Sequence, residues 1–231
     1  MAPKESKRQM TVAILFDTTG SMNEYLARVK RSVRKIAKEL TKHLPGIRMG
    51  IIAYGDHCDG KLMLQECPPT AKLNVFNDFI KKTERTCGGD IPEALECALE
   101  RLIHWDWGEE GSHRPVIIVT DAPAHDKKEC PKGNDWLSLA SELAEMGISF
   151  YSCLCGKNNE ARKQLKKLAK ISVGKYLTLK NSAEIVPLIV AAAVHKGGIL
   201  EDYVAALKQE GPLDKNAKAV LVKLDSSVCS M

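Results

Sequence analysis

Aromatic residues are scarce in this chain, at 5% of 231 residues. None interleaves with the basic residues in the way a stacking platform for single-stranded nucleic acid needs. Long apolar runs are missing too. The longest, Ile185 to Val194, is too short to span a bilayer and is broken by Pro187. Neither Gly-x-x-x-x-Gly-Lys-Ser nor Gly-x-Gly-x-x-Gly occurs, which excludes the common phosphate-cradling loops. No serine sits in Gly-x-Ser-x-Gly, so a hydrolase nucleophile elbow at Ser21 fails. No Cys-x-x-Cys knuckle is present. The N-terminal apolar run is short and ends on Asp17 rather than at a small-residue cleavage site, so no secretory signal is read. Cys229-Ser-Met231 lacks one residue of a prenylation box. There is no internal repeat and no low-complexity segment. The expected location is therefore intracellular.

What is present is ordinary globular composition, with 44% hydrophobic and 27% charged residues. The length suits one domain with a full core. The net charge is +5. Much of it comes from a basic tail (Lys4, Lys7, Arg8) and from Arg28, Lys30, Arg31, Arg34, Lys35, Lys38 and Lys42. The latter form the solvated face of an amphipathic helix, whose other face carries Leu26, Val29, Val33, Ile36 and Leu40. A nucleic-acid surface is the rival reading and requires steep salt dependence. The eight cysteines read as reduced thiols, with Cys97 and Cys153 buried as small apolar groups. A zinc reading would draw on His57, Cys58, Cys67, His125 and Cys130. A Cys58–Cys67 disulfide would need an oxidising compartment.

Strand and helix patterns alternate. Strands are expected at Met10–Phe16, Met49–Tyr54, 115–120, Ile148–Cys153 and Gly174–Leu179, with a short one at Lys61–Gln65. Helices are expected at about 22–44, at Leu73–Lys82, from Pro92 to about His104, at Leu137–Met146, at Glu160–Ile171 and from Ala183 to about Lys208. The last is interrupted near Gly197-Gly198. Such alternation gives an α/β fold with a mostly parallel sheet covered on both faces. The domain is expected over 10–208, between a mobile tail at 1–9 and a C-terminal tail at 209–231.

Two apolar strands end on carboxylates. The first run closes with Asp17-Thr18-Thr19-Gly20-Ser21, and Val116–Thr120 closes with Asp121. A third polar loop, Thr86-Cys87-Gly88-Gly89-Asp90, precedes a helix. Ligands of open α/β sheets bind at the carboxyl ends of strands. Hard oxygen donors on alternate residues suit a magnesium-like cation.

This set resembles the von Willebrand factor A family and its metal-ion-dependent adhesion site, whose pattern is Asp-x-Ser-x-Ser, a Thr and an Asp in three loops. Asp17, Thr19 and Ser21 match the first loop, with Thr replacing the first Ser, and Asp121 matches the third. In the second loop Gly89 falls at the family Thr, so Asp90 or Thr86 supplies the oxygen. Asp17–Met22, Ala53–His57, Gly88–Ala94, Thr120–His125, Ala144–Tyr151 and Gly174–Leu177 look like the A domain of von Willebrand-type alpha-kinases. Too little chain follows for a kinase domain, so kinase activity is not carried over. The resemblance implies a three-layer Rossmann-like domain that binds Mg²⁺ or Mn²⁺ through Asp17, Thr19, Ser21, Asp90 and Asp121. The ion then takes a carboxylate from a protein partner. That partner is expected to be a separately encoded kinase or ATPase, or a cytoskeletal or membrane-associated assembly. The chain reads as an interaction module rather than an enzyme. The rival is a metal-dependent phosphoesterase, which commonly needs two metals or a positioned base. His57 and His125 are loop residues, expected to be solvent-exposed or locally hydrogen-bonded, with partner contact or acid/base work as the alternative. Trp105 and Trp107 are expected to pack at the core or its edge, and Tyr54 to pack beside the site.

Overall fold

A computed structural model describes residues 9–225. Residues 1–8 of the expected N-terminal tail, and Cys229, lie outside the described residues. Six strands form one sheet: β1 (Thr11–Asp17), β2 (Arg48–Tyr54), β3 (Leu64–Thr70), β4 (Arg114–Thr120), β5 (Ile148–Cys155) and β6 (Lys175–Leu179). Their order is β3-β2-β1-β4-β5-β6. All neighbours are parallel except β2 and β3, which are antiparallel.

Because successive side chains on a strand face opposite ways, the central strands feed two cores. Val12, Ile14 and Phe16 of β1 join one cluster, and Ala13 and Leu15 the other. The first core is closed by α1 (Asn23–His43), α2 (Leu73–Lys82), α6 (Ile185–Lys196), α7 (Leu200–Glu210) and α8 (Lys215–Leu224). The second is closed by α3 (Leu95–Ile103), α4 (Trp136–Glu145) and α5 (Asn159–Ile171). The architecture is the three-layer Rossmann-like one.

Helix α1 buries Leu26, Val29, Val33, Ile36 and Leu40, the stripe its periodicity predicts. Arg28, Arg31, Arg34, Lys35, Lys38 and Lys42 are exposed, and Lys30 donates to the Thr83 carbonyl. α6 is apolar nearly all round because it lies between α1, α8 and the sheet.

Three elements differ from the sequence-based expectation. The short strand expected at Lys61–Gln65 is instead β3, which runs through Pro68 and Pro69. Proline is tolerated there because β3 is an edge strand with an irregularity opposite Gly50. Helix α3 begins at Leu95 rather than Pro92, so Asp90–Glu93 stays irregular. The stretch expected as a C-terminal tail contains α8, which buries Val220, Leu221 and Leu224 against the first core. Among the described residues no helix is long and apolar enough to cross a membrane.

Candidate metal centre

The chain leaves β1 toward β2 on one side and reaches β4 on the other, so β1 and β4 flank the point where the strand order reverses. Asp17 ends β1 and Asp121 follows β4. A crevice at that reversal is where ligands bind in such sheets.

The first loop is tightly bonded. Thr18 donates its N–H and its hydroxyl to the Tyr54 carbonyl, at 2.8 and 2.9 Å. The Thr19 N–H and hydroxyl both donate to Asp17 Oδ1, at 2.9 and 2.6 Å. Asp17 Oδ2 accepts from Thr120 Oγ1 at 2.8 Å. A 3-10 turn, Gly20–Met22, then brings Ser21 Oγ to 3.0 Å from Asp121 Oδ1. The structure thus brings Asp17, Thr19, Ser21 and Asp121 together across two strand ends.

The second loop meets the first along one side. The Thr86 N–H donates to the Thr18 carbonyl at 3.0 Å, and the two threonine hydroxyls lie 3.1 Å apart. Thr86 Oγ1 is therefore engaged with Thr18 rather than with Asp17. Asp90 is exposed, and its carboxylate lies within 4.8 Å of donor atoms of Asp56 and His125. It also lines the cleft that contains Ser21 and Asp121.

Glu93 is the site residue that sequence reasoning missed. Its N–H donates to the Pro123 carbonyl and the next N–H, of Ala94, donates to Gly55. This pins the segment into the rim and turns the Glu93 side chain toward Thr19 and Asp17. Gly88, at φ +72°, leaves room for it: a Cβ there would stand 3.1 Å from Glu93 Oε1. Glu93 is 5% exposed, and its Oε2 is buried without a hydrogen-bond partner. The available signal was Gly88-Gly89 followed by Pro92-Glu93. A helix starting at Pro92 would have placed this carboxylate in an ordinary first turn.

The electrostatics follow from burial. Desolvation, reinforced weakly by Asp121, lifts Asp17 to about 6 in spite of its hydrogen bonds. Burial, then repulsion from Asp17 and Asp56, lifts Glu93 to about 9. Asp121 is raised by burial as well. Among the described residues none of the three carboxylates has a salt-bridge partner. Asp17 is electrostatically coupled to both Glu93 and the half-buried Asp121, and Glu93 keeps an orphaned oxygen; oxygen acids of this kind suit a hard divalent cation. A cleft of about 390 Å³ opens above them, lined by Ser21, Asp90, Glu93, Asp121 and the exposed Lys157.

Of the two states expected for the histidines beside the rim, His125 takes the hydrogen-bonded one, in a loop but buried. His125 is buried, and its Nε2 lies 2.8 Å from Asp56 Oδ1. Burial alone would raise the Asp56 carboxyl, but the bonds from His125 and the His57 N–H outweigh it and hold it low. The His57 ring is 4.6 Å from that of His125. Trp105 and Trp107 are buried and 5.8 Å apart, and Trp105 lies over Gly50 of β2. Cys58 and Cys67 are free thiols.

Residues 11–190 match the family described as von Willebrand factor type A domain. The chain belongs to this family. One relative is the putative ariadne-like RING finger protein R811 of Acanthamoeba polyphaga mimivirus, 26% identical over 196 residues. That match covers 78% of this chain but 19% of the relative, so the chain spans under a fifth of the relative's length. Among solved structures, the conserved hypothetical protein BatB from Bacteroides thetaiotaomicron matches with a TM-score of 0.59 at 17% identity, over 82% of this chain and 99% of that one. The SpRpn10 VWA domain matches with a TM-score of 0.54 at 15% identity, over 77% and 94% of the two chains. At these identities the structural likeness bears on fold alone. A domains are general protein–protein interaction modules and often bind a divalent metal, and this A domain has ligand groups for one.

Proposed function

We propose that this A domain recognises a protein partner through a divalent cation, Mg²⁺ or Mn²⁺. Asp17, Thr19, Ser21 and Asp121 hold the ion, and Glu93 or Asp90 contributes from the second loop. The observation that carries the reading is the buried, unpartnered Oε2 of Glu93 beside Asp17 and Thr19, where three loops converge and, among the described residues, no salt bridge reaches the carboxylates. When bound, the ion offers an open coordination position that favours an anionic oxygen from outside. The chain's own residues do the rest. Thr120 and Thr19 fix both oxygens of Asp17, Ser21 ties the first loop to the third, and Lys157 adds positive charge at the cleft mouth. The partner's recognised group is a Glu or Asp side chain. The finer likeness to A domains of von Willebrand-type alpha-kinases extends the proposal to a separately encoded kinase or ATPase in a reducing, intracellular compartment.

The test begins with Mn²⁺ binding followed by electron paramagnetic resonance. One site is expected in the wild type, weakened at least about tenfold by Ser21→Ala or Asp121→Ala. Capture of a partner from native extract should need added Mg²⁺ and should fail with Ser21→Ala. Capture that ignores both the ion and the substitution removes the cation from the contact. Mg²⁺-dependent phosphoester hydrolysis abolished by Asp17→Ala would replace the binding reading with an enzymatic one.

A further inference from the structure

A second group of donor atoms lies outside the centre just described. His57 opens the 3-10 turn after β2, Glu96 and Cys97 sit in the first turn of α3, and Cys130 lies in the loop between β4 and α4. Their ligand atoms, one from each residue, all fall within 4.8 Å of one another. Cys97 Sγ and Cys130 Sγ are 3.9 Å apart, and Cys97 Sγ is 3.6 Å from Glu96 Oε1. His57 Nε2 stands 2.9 Å from Glu96 Oε1. That nitrogen is nevertheless buried without hydrogen-bond geometry to any partner. Glu96 and Cys97 are fully buried and Cys130 nearly so.

The 3.6 and 3.9 Å separations are close to those of ligands around one ion, whereas the 2.9 Å between His57 Nε2 and Glu96 Oε1 is shorter and is that of an ion pair. Tetrahedral zinc, with Zn–S near 2.3 Å and Zn–N or Zn–O near 2.0 Å, sets its ligand atoms about 3.3–3.8 Å apart. Thiolate, imidazole and carboxylate are the groups zinc prefers. A surrounding layer is in place as well. The His125 N–H donates to Glu96 Oε2 at 3.3 Å, and Asn134 Nδ2 donates to Cys97 Sγ at 3.7 Å. His125, held by Asp56, packs its ring beside that of His57. Outer groups of this kind orient metal ligands and tune them.

The alternative is a histidine–carboxylate pair beside two thiols that merely fill space. Such packing has little to hold it here. Ala94, Cys97 and Cys130 form a small cluster of their own, against which Met63 and Leu64 pack, and Leu64 links it to the second core. The stretch between Thr120 and Trp136 is long and contains neither helix nor strand. Its first half is tied by bonds to Glu93, Gln164 and Asp56, and Cys130 lies in its second half.

We propose that His57, Glu96, Cys97 and Cys130 form a structural zinc site that fastens the loop after β4 to α3 and to the turn after β2. Cys58 and Cys67, which a sequence-based zinc set would include, take no part. Binding releases the two thiol protons to solvent and involves no redox step. The site anchors both loops that deliver Glu93 and Asp121, but it is chemically separate from the oxygen-lined centre.

The test uses the whole chain, purified under reductant and without chelator. Elemental analysis should find about one zinc per chain. Cys97→Ser with Cys130→Ser should bring it to background, whereas Ser21→Ala should leave it unchanged. Cobalt added to the zinc-stripped wild type should give a thiolate-to-cobalt band in the near ultraviolet and the intense visible bands of a tetrahedral ion. This wild-type measurement decides the matter even if the double variant fails to fold. Absence of both zinc and the cobalt bands overturns the proposal. So does zinc retained at full occupancy in a folded double variant, or a Cys97–Cys130 disulfide in protein kept reduced.

Discussion

The metal-free A domain should become less stable as pH rises, and Mg²⁺ should restore it. The cause is Asp17, fully buried and without a cationic neighbour in a salt bridge. Burial raises its carboxyl from the ordinary 3.8 to about 6. The folded chain therefore holds this proton more tightly than the unfolded chain does. Stability is full below the unfolded value, falls as pH climbs from about 4 to about 6, and stays low above that. The shift corresponds to about 3 kcal/mol. For a domain of this size that is roughly 6–12 °C in the unfolding midpoint. Glu93, raised to about 9 by burial and by Asp17, extends the decline toward alkaline pH. Asp56 is held low and acts in the opposite sense, but only in acid, because its stabilising charge is lost as pH falls below the ordinary carboxylate range. The assay is thermal unfolding across pH, with and without Mg²⁺. Asp17→Asn removes the buried charge while keeping a group that Thr19 and Thr120 can bond. It should make the decline between about pH 4 and pH 6 shallower, leaving the share that Glu93 contributes, raise metal-free stability at about pH 8, and abolish rescue by Mg²⁺. A flat wild-type profile, or an Asn variant less stable than metal-free wild type at about pH 8, refutes the reasoning.

Three further outcomes test the fold around the site. Gly174→Ala should cost at least about 3 kcal/mol by denaturant titration, because a Cβ there would stand 1.8 Å from the Phe150 carbonyl oxygen; a near-neutral result contradicts this packing. Val173, 92% exposed at φ +52°, pays for a left-handed backbone with a β-branched side chain, so Val173→Gly should stabilise by about 0.5–1 kcal/mol. A loss on the same titration would refute that strain. Arg31→Glu with Lys35→Glu, on the exposed face of α1, should leave stability within about 0.5 kcal/mol and Mg²⁺-dependent capture intact. Salt-sensitive nucleic-acid binding lost in that variant would favour the basic-surface reading instead.

Much of the fold was legible because it is written locally. The runs ending on Asp17 and Asp121 are continuous and apolar, as strands covered on both faces must be. The α1 stripe repeats at three- and four-residue steps. Glu93 was not legible because its role depends on bonds to Pro123 and Gly55, far away in sequence, that keep the chain irregular until Leu95. His57 and Cys130 stood together in the sequence-based zinc set, but Glu96 and Cys97 were hidden for the same reason, since no short spacing joins them to the other two. α8 was missed because its apolar face becomes meaningful only against α6. β3 was misplaced because two prolines argue against a strand until it is known to lie at an edge.

Those prolines also decide how the sheet ends. Neither Pro68 nor Pro69 has an N–H to donate, and the two stand opposite Gly50 alone, where the ladder with β2 is already broken. Proline and a bulge on an edge strand are both devices that disfavour pairing with an incoming strand, so this flank of the sheet is a poor template for a second molecule.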